Sequence, residues 1–214
     1  MKYLNKYYSR KTNQYRTSPA REEKIIELIK EPLKNKKILD IGCSGGEFGV
    51  YLRKRGAHVT GVDISSKFIN EAKKNLDKAH KVDLNDGKLP FKNNQFDLVI
   101  ASEVLEHLFR PNRIIKESKR VIKKGGKIVF STPNLLYWGN RINFLKGKFK
   151  YTDSGVFDES HIHFYTYQTF IEDIKLSGLE IYSENHVYRG SNILGIKSKF
   201  PSIFAYQFVV LCSK

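Results

Sequence analysis

The stretch "KKILDIGCSGGEFG" at residues 36–49 runs from a short apolar segment into an acid and then a cluster of glycines. This is the order in which a buried strand meets the tight turn that feeds a helix. The pattern then repeats. Helix-like segments at 47–55, 65–76 and 111–123 alternate with the strand-like runs "HVTGVDI", "AHKVDL", "QFDLVIAS" and "GGKIVFSTP". Strands alternating with helices predict right-handed crossovers and a mostly parallel sheet covered on both faces, an α/β three-layer sandwich. Ahead of the first strand, "SPAREEKIIELIKEPL" predicts a helix with Ser18 as N-cap, Pro19 in the first turn and Ile25, Ile26, Leu28 and Ile29 as the apolar stripe.

The alternation stops at Pro133. Residues 133–163 are aromatic, basic and irregular, and read as an insertion rather than a crossover. A helix resumes in "TYQTFIEDIKLSG", with Thr166 as cap and Gly178 as terminator. Two late strand-like runs, "LEIYSENHVY" and "IFAYQFVVLCS", follow. Coming after a parallel set, they predict an antiparallel edge hairpin.

With 214 residues, 40% of them hydrophobic, the chain suits one domain at 18–214 behind a basic arm at 1–17. The N-terminus has no apolar core of a secretion signal, and no run approaches the roughly 18 apolar residues of a spanning helix, so no membrane span and a cytoplasmic location are expected. Cys43 and Cys212 fit neither a disulfide framework nor a zinc site and are expected to be reduced. The net charge is +16, from 28 Lys and 10 Arg against 22 acids. A nucleic acid or acidic lipid could exploit it, yet the lysines are spread along the chain, which reads more readily as compositional drift.

Ligands of open α/β sheets sit beyond the carboxyl ends of the strands, which here present Asp40 to Gly46, Asp63, Asp83 with Leu84, Ser102 with Glu103, and Thr132 with Pro133. Asp63 follows Gly42 by 21 residues, the spacing of an acid that binds ribose hydroxyls. The ligand should contain a nucleoside. The dinucleotide fingerprint nevertheless fails, because Ser44 and Glu47 stand where its second and third glycines belong. A nicotinamide oxidoreductase is thereby disfavoured. Asp40 and Glu47 would also repel a pyrophosphate, whereas an adenosine with a cationic amino-acid tail suits an acidic turn.

On these residues the chain resembles the class I S-adenosylmethionine-dependent methyltransferases, over about residues 18–213. Of their D-x-G-x-G-x-G motif, "DIGCSGG" keeps Asp40, Gly42 and Gly46 and places Ser44 at the middle glycine. "VTGVDIS", "KVDLND", "QFDLVIASEVLEHL" and "KKGGKIVFSTPN" follow in order. The resemblance implies a Rossmann-like, seven-stranded, mostly parallel sheet with an antiparallel last strand, and S-adenosyl-L-methionine as cofactor. It implies cofactor contacts from Asp40, Gly42, Ser44, Gly46, Asp63, Ile64, Asp83, Leu84 and Ser102. The turn would wrap the methionyl part, Asp63 take the ribose hydroxyls, and Asp83 lie near the adenine amino group.

In "SEVLEHL", a helix would put Glu103, Glu106 and His107 on one face, and "DESHIHFYTYQTF" adds His161 and His163. His107, His161 and Glu103 are the expected catalytic set. The alternative is a divalent ion on Glu103, Glu106, His107 and His161, similar to plant-type small-RNA 3′-end 2′-O-methyltransferases; His161 has their spacing to Thr166, and His163 does not. The insertion and the final strand look more like the branch related to the methionine-biosynthesis W protein and the ubiquinone-pathway O-methyltransferases, whose insertion closes over the acceptor. Tyr137, Trp138, Asn140, Arg141, Phe144, Phe149 and Tyr151 then read as lid or acceptor-pocket residues, or as a satellite core under a long loop. The expected reaction is methyl transfer to oxygen or nitrogen of a small molecule or saccharide. A metal-dependent RNA 2′-O-methyltransferase and a non-catalytic adenosylmethionine-binding regulatory subunit are the alternatives.

Overall fold

In the computed structural model, which describes residues 18–190 and 195–214, the alternation appears in the expected order. Helix α1 (Pro19–Ile29) leads into β1 (Lys37–Ile41), α2 (Glu47–Arg53), β2 (His58–Asp63), α3 (Ser66–Asn75), β3 (Lys78–Lys81), β4 (Phe96–Ser102), α4 (Pro111–Val121) and β5 (Ile122–Pro133). After α5 (Trp138–Leu145) come α6 (Tyr167–Leu176), β6 (Glu180–Glu184), β7 (Val187–Tyr188), the single turns α7 (Ile196–Lys199) and α8 (Pro201–Phe204), and β8 (Ala205–Ser213). The basic arm expected at 1–17 lies outside the described residues.

The sheet order is β3-β2-β1-β4-β5-β8-β6, with β7 also paired to β8. Strands β1 to β5 pair in parallel, and β8 alone runs against its neighbours β5, β6 and β7. The antiparallel last strand and the antiparallel pairing of the two late runs at the sheet's edge are both present, with β6 outermost and β8 between it and β5. Strand β8 is buried along Gln207 to Cys212 and takes the place between β5 and β6. A run as apolar as "FVVLC" is spent best where both faces are covered.

Successive residues of each strand face opposite layers. Leu39, Val99, Phe130 and Val210 join one buried cluster with Ile114 and Phe170. Ile38, Ile100, Val129 and Val209 join the other, with Ile25, Leu52, Ile69 and Ala72. Two caps match the local chemistry: Ser65 accepts from the Phe68 amide ahead of α3, and Thr166 forms a capping box with Thr169 ahead of α6. Ser18 holds the N-cap position of α1 but makes no side-chain cap bond; its carbonyl accepts the Arg21 and Glu22 amides instead. The insertion is less irregular than its sequence implies, since α5 forms inside it.

Parallel pairing aligns Ile41 with Val62 and Ala101, and Ser102 with Ser131, so the strand-end residues meet at one edge of the sheet. Helix α2 packs close above β2 because Gly49 leaves room: a Cβ there would lie 2.2 Å from Leu76 Cδ2 and 3.3 Å from Val59 Cγ1. Gly49→Ala is therefore expected to cost about 1–3 kcal/mol in chemical denaturation through overpacking. The cost should shrink markedly in a Leu76→Ala background, where the clashing methyls are gone. Additive costs would show that the two residues do not compete for the same space.

Candidate active site

The turn after β1 is built against β2. The amides of Gly42 and Cys43 both donate to the Val62 carbonyl, at 2.8 and 3.0 Å. Gly42 has φ +74, and a Cβ on it would lie 2.5 Å from Val104 Cγ2, so both conformation and crowding require glycine. Ser44 has φ +47, the left-handed region in which the middle glycine of the motif is at ease. Its amide donates to Asp63 Oδ2 at 3.1 Å, while the Ser65 amide donates to Oδ1 at 2.8 Å. Asp63 thus clasps the turn and still has lone pairs to offer a ligand. Burial pushes its carboxyl up to about 6, against the pull of those amides.

Two cavities adjoin at this turn and share Gly42, Ser44, Glu103 and His107 in their walls. The first is a mostly apolar slot with about 660 Å³ of empty space, formed by Ile64, Phe68, Leu84, Val104 and Leu108, with Asp63, Asp83 and Asn85 as polar points. That lies within the usual range for small-molecule sites. The second is polar, about 1040 Å³ counting its open mouth, and is lined by Arg21, Glu22, Asp40, Ser102, Asp158, His161 and Gln207, among others. Gly46 lines neither. It opens α2, and a Cβ on it would meet Leu76 Cγ at 2.9 Å.

The second cavity is acidic within a basic chain. Burial, followed by the charges of Asp63, Glu22 and Glu47, pushes Asp40 up to about 7. Facing these acids is Arg21, whose Nη1 lies 3.8 Å from Glu103 Oε2 and whose buried Nε has no hydrogen-bond partner among the described residues. Sequence reading passed over Arg21 as a site residue because it lies outside the strand ends. One signal was present: a cation in the first turn of a helix opposes the helix dipole and needs another reason to be there.

Glu103, Glu106 and His107 do not share a helical face. Strand β4 ends at Ser102, Glu103 takes φ +55, and only Leu105–His107 forms a 3-10 turn. Glu103 Oε1 accepts from Ser131 at 3.2 Å and Oε2 from Gln207 at 2.7 Å, so strands β5 and β8 hold it toward Arg21. Glu106 turns inward. Its Oε2 faces Thr132 Oγ1 at 3.5 Å, and its buried Oε1 has no hydrogen-bond partner among the described residues. Burial, then the charge of Glu103, raises its carboxyl well above the ordinary range.

The insertion closes this group. Its chain returns through Ile162 and His163, whose amides both donate to the Glu106 carbonyl at 2.9 Å. That brings His161 against His107, ring centroids 4.7 Å apart. His161 Nδ1 bonds the Val156 carbonyl at 2.9 Å, leaving Nε2 as the lone-pair atom of that tautomer. His107 Nδ1 lies 3.1 Å from Ser160 Oγ, which donates to Asp158 Oδ1 at 2.7 Å. Burial first, and His161 second, push His107 down to about 3, so its imidazole is neutral near pH 7. Ligand atoms of Glu106, His107 and His161 lie within 4.8 Å of one another, an arrangement that can hold a divalent cation or pass a proton. Glu103 is outside that group, and the His163 ring lies tilted beside Tyr165 instead, centroids 5.8 Å apart. Tyr137, Trp138, Asn140, Arg141, Phe144, Phe149 and Tyr151 line neither cavity. Phe144, Phe149 and Phe157 pack on each other as a satellite cluster.

Residues 39–130 match the family model described as "Methyltransferase domain". The chain is 42% identical over 122 residues to the "Ubiquinone biosynthesis O-methyltransferase" of Coxiella burnetii, covering 55% of this chain and 51% of that protein. It therefore spans about half the length of the curated relatives it matches. By structure it is similar to a SAM dependent methyltransferase from Archaeoglobus fulgidus, with a TM-score of 0.68 and 20% identity over 97% of this chain and 100% of that one. An S-adenosylmethionine dependent methyltransferase from Mesorhizobium loti has a TM-score of 0.65 and 19% identity over 89% and 96%. At that identity the two structures establish the fold.

Asp40 generates a test of the cavity's electrostatics. Its folded-state value near 7, against 3.8 for an ordinary Asp, means that the folded chain keeps a proton which the unfolded chain has released. Stability from this group is thus fully present below about 3.8 and lost as pH rises toward about 7. Asp40→Asn should flatten that decline in denaturation curves of the ligand-free protein. An unchanged slope would remove Asp40 as its source.

Proposed function

We propose that the chain, whose residues 39–130 match a methyltransferase domain, acts as a class I methyltransferase: it binds S-adenosylmethionine across the two adjoining cavities and transfers the methyl group to oxygen, or nitrogen, of a small molecule or saccharide. The observation that carries this reading is the pairing of an apolar slot bearing Asp63 and Asp83 with a polar chamber bearing opposed acids and a half-buried arginine. The slot suits adenosine, with Ile64 and Leu84 against the base, Asp83 toward its amino group and Asp63 on the ribose hydroxyls. The chamber suits the tail: Asp40 and Glu22 meet the ammonium, Arg21 the carboxylate, and Ser102 and the Gly42–Ser44 turn flank the chain. A pyrophosphate would face these same acids unfavourably. The O-methyltransferase name of the Coxiella relative supports oxygen as the acceptor atom.

Transfer is an in-line displacement in which the C–S bond of the sulfonium breaks as the acceptor–carbon bond forms, leaving neutral adenosylhomocysteine. Most of the rate then comes from alignment and desolvation. For a hydroxyl acceptor a base must take the proton. In this reading His107 and His161 do so through Nε2, their Nδ1 atoms being anchored to Ser160 and Val156. The carboxylate of Asp158, reached through Ser160, favours the imidazolium that forms on His107. A second reading rests on the unpartnered Glu106 Oε1: a divalent ion held by Glu106, His107 and His161 would acidify a bound hydroxyl.

Asp63→Asn is expected to weaken adenosylmethionine binding by calorimetry about tenfold to a hundredfold, because charge-assisted bonds to the ribose are lost; unchanged affinity would take Asp63 out of the site. His161→Ala should lower kcat about a hundredfold or more while adenosylmethionine affinity holds, the range expected on losing a general base. Turnover of a panel of small hydroxylated acceptors separates the two readings. Insensitivity to EDTA upholds the histidine base, and loss of turnover restored by magnesium upholds the ion.

A further inference from the structure

Five of the ten exposed large apolar side chains among the described residues lie between 138 and 151: Trp138, Ile142, Leu145, Phe149 and Tyr151. Three of them are spaced i, i+4 and i+7 along α5, which aligns them in one stripe on the helix. Leu145 at the end of the stripe is 88% exposed. An isolated exposed leucine is ordinary, but a helical stripe of Trp, Ile and Leu left outside the core marks an interaction surface.

The charges that the segment itself carries have one sign, up to Asp153 just beyond it. Residues 134–152 contain Arg141, Lys146, Lys148 and Lys150 and no Asp or Glu. Arg141 is turned inward, its Nε bonding the Leu136 carbonyl, but Lys146, Lys148 and Lys150 are exposed at the end of α5 and in the turn beyond it. Lysines cluster as densely at Lys34, Lys36 and Lys37, but there Lys36 pairs with Glu31, whereas these three adjoin an apolar stripe. We infer that α5 and the following turn form a docking surface for an anionic lipid bilayer, the apolar stripe entering the interface and the three lysines meeting the headgroups.

The chemistry selects that partner over two others. An isologous contact with a second copy would bring like-charged lysines together with no acid in the segment to pair them. A nucleic acid would use the lysines, yet Ile142 and Leu145 offer its backbone and bases nothing. A bilayer interface uses both features, and Trp at the headgroup level adds a third. Among the described residues no helix is long and apolar enough to cross a membrane, so the contact is peripheral.

Trp138 is the chain's sole tryptophan and reports on the surface directly. The full chain is mixed with vesicles of phosphatidylcholine alone or of an equimolar mixture with phosphatidylglycerol. A blue shift of Trp138 emission and co-sedimentation with the anionic vesicles only, both weakened by salt, is the expected result. The triple variant Lys146→Glu, Lys148→Glu, Lys150→Glu should weaken partitioning at least about a hundredfold, and Leu145→Asp about tenfold or more. Both should keep the wild-type circular dichroism and adenosylmethionine affinity. No shift with anionic vesicles, equal binding to neutral ones, or wild-type partitioning of the folded variants would overturn the inference. So would self-association or RNA binding through the same residues without vesicle binding.

Discussion

Two backbone amides, those of Ser44 and Ser65, converge on the buried carboxylate of Asp63, and the geometry of the whole ligand edge depends on that clasp. It joins the turn after β1 to the turn after β2. With the Gly42 and Cys43 amides already spent on Val62, the loop has little freedom left. Ser44 can occupy a left-handed conformation because its amide is held at the far end of this contact. The cost of placing a serine there, on the order of 1 kcal/mol, is small against a charge-assisted bond of about 1.5–3 kcal/mol.

The acids around this clasp invert the electrostatics of the chain locally. A protein of net charge +16 encloses a chamber whose wall is shared by Glu22, Asp40, Glu103 and one arginine, Arg21. Burial raises Asp40 toward neutrality, a cost that a bound cation would relieve. Function in such a site comes from groups that are poorly satisfied by the protein alone, and the buried Nε of Arg21 and Oε1 of Glu106 are such groups.

Much of this was legible in the chain. The strand and helix alternation, the strand-end positions of Asp40, Asp63 and Asp83, and the caps at Ser65 and Thr166 follow from local pattern. Glu103 was misread because "SEVLEHL" has helical spacing while its backbone does not continue as a helix: Glu103 donates its amide to Ser131 across the sheet and leaves the helical region. The aromatic insertion was legible as a functional segment but not in its parts. Its aromatic residues pack on each other or face outward, whereas Asp158 and His161 line the polar cavity and Ser160 bonds His107 behind it.

What the sequence determined by itself is what short-range periodicity and turn chemistry can encode: an α/β sandwich, a glycine turn unsuited to pyrophosphate, and an acid at the end of each early strand. Only the tertiary structure decided the meetings across the chain. Ser160 reaches His107 over 53 positions, and Gln207 reaches Glu103 over 104. Those contacts exist because β8 inserts beside β5 and because the insertion pairs its backbone with Glu106. Both depend on the register of strands distant in sequence, which no local propensity specifies.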